Sequence, residues 1–158
     1  MIIIQWKHEG FVKGIALKND CDQVVSGGEG GSIIVHSTSS NKVEYRADNV
    51  FTGSISGLCY LPNGSLVACG YNSGGANLKV FSPSLELVQT LVGHDSIVWC
   101  VTVSPSGSHF ASGGSDDGKV KIWSELGEGG EWARVQVLED HTEDIDAVCF
   151  GKDTNSHL

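Results

Sequence analysis

A spaced ladder of apolar residues recurs four times in this chain, and it limits the fold more than any other feature. His94 is followed by Val98, Val101 and Val103, at intervals of four, seven and nine residues. The same intervals lead from His8 to Val12, Ile15 and Leu17, from Phe51 to Ile55, Leu58 and Tyr60, and from His141 to Ile145, Val148 and Phe150. The anchors at 8, 51, 94 and 141 lie 43, 43 and 47 residues apart. A period of that size belongs to repeat architectures in which each unit buries its apolar face against its neighbours.

Between the ladders, short segments rich in Val, Ile and aromatics recur in a fixed order. A second segment reads "DQVVSGG", "SLVACGY" and "HFASGGS"; a third reads "SIIVH", "LKVF" and "KVKIW"; a fourth reads "KVEYRAD", "LELVQTLV" and "ARVQVLED". Glycine, 21 residues against three prolines, punctuates the chain too often for long helices, and no window repeats its apolar residues every 3.6. Four short strands per unit are therefore predicted, in an all-β protein. The longer third interval falls at "ELGEGGEWARV", which reads as a loosened loop between third and fourth strands, with Trp132 as the anchor of the strand that follows.

Composition removes several classes of function. The 158 residues carry a net charge of −9, against an electrostatic grip on nucleic acid or anionic lipid, both of which need surplus Lys and Arg. Residues 125–158 hold nine carboxylates against Arg134 and Lys152; a basic partner is the functional reading of this tail, and ordinary solvated loops the reading preferred here. No apolar run approaches the roughly 18 residues of a membrane span. The opening "MIIIQWKHEG" lacks the basic start and apolar stretch of a secretory signal. The five cysteines never form a C-x-x-C pair and mostly lie in apolar runs, as buried reduced thiols of an intracellular protein, cytoplasmic or nuclear, would. Neither His nor Cys shows metal-ligand spacing, and "SGGEGGS" lacks the Lys-Ser/Thr ending of a phosphate loop. No metal and no cofactor is expected.

The third unit, "LVGHDSIVWCVTVSPSGSHFASGGSDDGKVKIWS", resembles the WD40-repeat family of β-propellers through Gly93-His94, the "SPSG" turn, the "ASGG" strand and Trp123. The other units are degenerate, with His36 and Phe81 at the Trp position and Phe51 at the His anchor, and Ser124 follows Trp123 where the family's name expects Asp. The resemblance implies a β-propeller fragment of antiparallel four-stranded blades forming an incomplete arc. Residues 1–7 would be the outer strand of a preceding blade, 8–50, 51–93 and 94–140 three repeats, and 141–158 the start of a fourth with "IDAVCF" as its inner strand. Closed propellers need about four to eight blades of 40 to 45 residues. The chain is accordingly expected to be a truncated or partial product whose open ends need further blades or a partner.

The resemblance also implies a buried hydrogen-bond chain of Trp123, Ser112, His94 and Asp116, with Asp117 competing for the last place. Trp only donates, ionised Asp only accepts, and Ser and neutral His do both, so the series strands no donor. A catalytic triad is disfavoured, since "FASGGS" is not the strained G-x-S-x-G elbow that exposes a nucleophile. No catalytic residues are assigned. Residues three and five places beyond each anchor commonly line the channel entrance in the family: Phe11, Lys13, Ser54, Ser56, Ile97, Trp99, Asp144 and Asp146. Trp99 is either a docking aromatic there or a residue packed between blades, and the residues alone leave both open. The function implied is a non-catalytic scaffold binding other proteins or peptides. A substrate-recruiting ubiquitin-ligase subunit, or another enzyme-associated receptor, is the alternative, although "WSEL" lacks the Trp-Asp-x-Arg such subunits often carry. Lipid binding through a basic Arg pair finds no matching motif.

Overall fold

The computed structural model describes residues 8–75, 77–115, 117–127 and 130–151. The outer strand expected at residues 1–7 lies outside them. Among the described residues twelve strands run in chain order: β1 Val12–Leu17, β2 Gln23–Gly28, β3 Ile33–Ser37, β4 Val43–Ala47, β5 Ile55–Tyr60, β6 Leu66–Gly70, β7 Leu78–Phe81, β8 Leu87–Leu91, β9 Val98–Val103, β10 His109–Gly114, β11 Val120–Leu126 and β12 Glu131–Leu138. They form three antiparallel four-stranded sheets, β1-β2-β3-β4, β5-β6-β7-β8 and β9-β10-β11-β12. Each sheet is a blade, and each ladder of apolar residues lies on its first strand. The first strands β1, β5 and β9 lie side by side, joining the blades into an arc that does not close among the described residues.

Burial explains why the middle strands read as nearly unbroken apolar or small-residue runs. β3 and β6 are buried along their whole length, whereas β4 is exposed along most of its own. In the second blade Leu66 and Ala68 enter one core, with Val25, Ile33, Ile55 and Phe81, while Val67 and Cys69 enter another, with Val98, Phe110, Trp123 and Trp132. The period-2 alternation of a strand thus feeds two interfaces from one sheet. On one of them Phe110 lies 4.8 Å from Trp132 and 5.9 Å from Trp123, ring centre to ring centre.

One ladder position packs tightly against a glycine of the preceding blade. A Cβ on Gly27 would stand 2.9 Å from Cγ2 of Ile55 in the next blade, and one on Gly113 would stand 2.4 Å from Cγ2 of Ile145. A side chain at either glycine would displace its neighbour. In the second blade the equivalent of Gly27 and Gly113 is Cys69, and there the ladder residue is the smaller Val98, fully buried in the same core.

Two expectations differ from the observed chain path. The extra residues of the third unit are not a loosened loop, because β11 continues to Leu126 and β12 begins at Glu131. They lengthen the outer hairpin, where Leu126 pairs with Glu131 and Glu125 with Trp132. Residues 145–150, expected as a strand, form none. Ile145 N donates to Gly114 O at 3.0 Å and its side chain is buried, but no second strand among the described residues pairs with the segment, and a strand is defined by that pairing.

Candidate functional site: a buried hydrogen-bond chain beneath a polar channel cleft

In the third blade, adjacent strands bring four side chains into series. Ser112 on β10 and Trp123 on β11 are both buried, and Trp123 Nε1 donates to Ser112 Oγ at 2.9 Å. Ser112 Oγ lies 2.8 Å from His94 Nε2, and His94 Nδ1 lies 2.9 Å from Asp117 Oδ2. An Nδ1–H donating to Asp117 leaves Nε2 to accept the serine proton, so a single neutral tautomer satisfies every group. The carboxylate bound to His94 is Asp117; Asp116 lies outside the described residues.

Lys121 is the member that sequence reasoning missed. Its ammonium lies 2.8 Å from Asp117 Oδ2 and also donates to Gly93 O, and both charged side chains are almost wholly buried. The signal was available in "KVKIW": residues two apart on a strand share a face, so a buried Trp123 places Lys121 inward as well. Burial first, and then the Lys121 charge, push His94 below its ordinary value of 6.5, outweighing Asp117. Burial alone would raise the Asp117 carboxyl, but hydrogen bonds from Lys121 and the Lys119 backbone, and the His94 contact, carry it below the usual carboxylate value. The arrangement is a neutral imidazole beside a buried ion pair, with the Ser112 hydroxyl fully enclosed. Such a hydroxyl ties strands together and presents no nucleophile to a substrate.

The other blades keep parts of this chain. In the first, His8 Nε2 lies 2.8 Å from Ser26 Oγ, and buried His36 holds the place of Trp123. Burial lowers both imidazoles, His8 further by the Arg46 and His36 charges. In the second, Phe51 replaces the anchor histidine, and Lys79, in the place of Lys121, sits 4.8 Å above its ring while donating to Val50 O. A cation over an aromatic face thus replaces the cation–carboxylate pair.

The residues expected at the channel entrance divide into two sets. Lys13, Ser56, Trp99 and Asp146 hold equivalent positions in four successive units, and all four line one cleft of about 270 Å³ together with Ile15, Leu58 and Val101. Phe11, Ser54, Ile97 and Asp144 stand outside that wall. Phe11 is 75% exposed on the flank of the first blade, its N donating to Glu29 Oε2 at 3.2 Å. Ser54 Oγ accepts from Lys13 Nζ at 3.5 Å, Ile97 O accepts from Ser115 N at 2.8 Å, and Asp144 is exposed. Trp99 is half-buried, and its Nε1, like Ser56 Oγ, is enclosed without a hydrogen-bond partner among the described residues. Trp132, by contrast, is buried in the interblade core. No group of three or more His, Cys, Asp and Glu among the described residues is placed to hold a metal, and no described helix is long and apolar enough to cross a membrane.

Three four-stranded blades and the recurring ladder describe an arc of β-propeller type, and residues 85–124 match the family model described as "WD domain, G-beta repeat". Three relatives put that likeness in particular terms. The chain is 48% identical over 70 residues to a probable cytosolic iron-sulfur protein assembly protein 1 of Sclerotinia sclerotiorum, an alignment covering 43% of this chain and 15% of that protein. It is 34% identical over 86 residues to the protein transport protein SEC13 of Coccidioides immitis, covering 49% and 28% respectively. It is 34% identical over 73 residues to the ribosome biogenesis protein YTM1 of Vanderwaltozyma polyspora, covering 44% and 16%. The matched stretch is less than a third of each of these relatives.

Proposed function

We propose that this chain is a non-catalytic interaction scaffold that receives a segment of another protein at the channel cleft. The observation that carries the reading is the convergence of Lys13, Ser56, Trp99 and Asp146 from successive units onto one cleft. A half-buried indole among polar neighbours has the size and amphipathic character of an interface anchor. The names of the relatives, which concern iron-sulfur protein assembly, protein transport and ribosome biogenesis, favour no single partner.

On this reading Trp123, Ser112, His94 and Asp117 brace the blade and catalyse nothing, and the repeats run 8–50, 51–93 and 94–140, with a fourth beginning at 141. Further blades or a partner cover the ends of the arc. Photo-crosslinking tests the proposal. A crosslinking amino acid at Ser56 is expected to capture discrete partners that are lost in Trp99→Ala, whereas one at Asn63, on an exposed turn away from the cleft, captures none of them. Equal capture from both positions would sink the reading.

A further inference from the structure

The channel cleft is unevenly equipped. At one end the Lys13 ammonium is already engaged, 3.8 Å from Glu29 Oε1 and 3.5 Å from Ser54 Oγ. At the other, Asp146 is exposed, and no Lys, Arg or His among the described residues lies within ion-pair distance of it. Trp99, on the neighbouring strand β9, lines the same cleft. Cys100 Sγ, 3.5 Å from Ile145 O, ties that strand to the segment carrying Asp146. The charge of Asp146 reaches the cleft wall, adding to burial in pushing the Cys100 thiol upward. Asp144 and Glu143 are exposed beside it.

An aromatic face next to an uncompensated carboxylate suits a cation, which the ring quadrupole and the carboxylate attract together. The enclosed Nε1 of Trp99 adds a second demand. A donor held without an acceptor is unfavourable, and a bound segment that brings a backbone carbonyl to the indole as it shifts removes that cost. We propose that the cleft between Trp99 and Asp146 receives a cationic side chain, lysine or arginine, of a partner polypeptide. The chain's net charge of −9 steers such a segment toward it. The inference rests on the scaffold reading above and adds the chemistry of what is read.

The test titrates the full chain, labelled with nitrogen-15, with the tripeptide Ac-Ala-Arg-Ala-NH2 and with its neutral citrulline counterpart. The Trp99 indole resonance is assigned from Trp99→Phe, and that of Trp123 serves as the folding control. The arginine peptide is expected to shift the Trp99 signal saturably and leave Trp123 in place. Binding should weaken by about fivefold or more with citrulline or with Asp146→Asn, as loss of an exposed charge pair and cation–π contact implies. An equal response to both peptides overturns the cationic site while leaving a peptide-binding cleft. No response to either also overturns it, and the scaffold reading is then decided by the crosslinking outcome alone.

Discussion

Ser112 Oγ is the hinge of the buried chain, because it serves Trp123 and His94 at once. Ser112→Ala leaves an indole donor and an imidazole nitrogen enclosed without partners, at about 1–3 kcal/mol each. A loss of about 2–6 kcal/mol in stability, read from a lowered urea midpoint, is expected, and no loss of esterase activity is expected. An esterase that vanished in this variant would instead restore Ser112 as a nucleophile. Three histidines carry a pH signature as well, His36 and His94 buried and His8 half-buried. His8, His36 and His94 are all held below 6.5 in the fold, so the unfolded chain binds the extra protons first. Their contribution is complete above pH 6.5 and is lost as pH falls from there through the folded values. Asp117, also lowered, adds a second loss only below its ordinary value of 3.8. Chemical denaturation from pH 8 to 5 should therefore show a falling midpoint below pH 6.5, with a shallower fall in His36→Phe. A flat profile would contradict the buried neutral imidazoles.

Strands were legible wherever burial dictates residue type. "LKVF" is β7 to the residue, and the "VSGG" and "ASGG" runs mark β2 and β10 because small residues are needed where blades touch. Legibility failed where one segment had two physical readings. "ELGEGGE" is glycine-rich enough for a loop, yet cross-strand pairing at Glu125 and Leu126 draws its flanks into the hairpin. A lysine in "KVKIW" reads as solvated until a buried Asp117 supplies its counter-charge. Gln89 was illegible for a different reason. Its side-chain amide bridges β8 to β12, Nε2 donating to Trp132 O at 2.9 Å and Oε1 accepting from Trp132 N at 2.8 Å. No local pattern announces a contact across 43 residues. Gln89→Ala should cost about 1–2 kcal/mol and speed hydrogen exchange at the Trp132 amide, while exchange within β1 and β2 stays as it was; uniform acceleration would mean the bridge is not local.

At the scale of the whole chain, the arc presents unlike flanks. Val12 is 45% exposed, although Ile55 and Val98, at the same ladder position, are fully buried, and Phe11, Ile15 and Leu17 are exposed beside it. An apolar flank of this kind invites association, so Ile15→Asn with Leu17→Lys is expected to lower any concentration-dependent sedimentation of the isolated chain; unchanged sedimentation would show that association, if present, uses another surface. Within the arc, Ile55 packs on Gly27 and Ile145 on Gly113, while Val98 and Cys69 share one core. Val98→Ile should overpack by about 1–3 kcal/mol, and adding Cys69→Gly should recover most of the loss. Failure of that rescue would separate the two positions. The glycine notch then has an architectural meaning: like a mortise cut to its tenon, one side chain and its seat limit how closely two blades can close at that joint, so a change on one side calls for a matching change on the other.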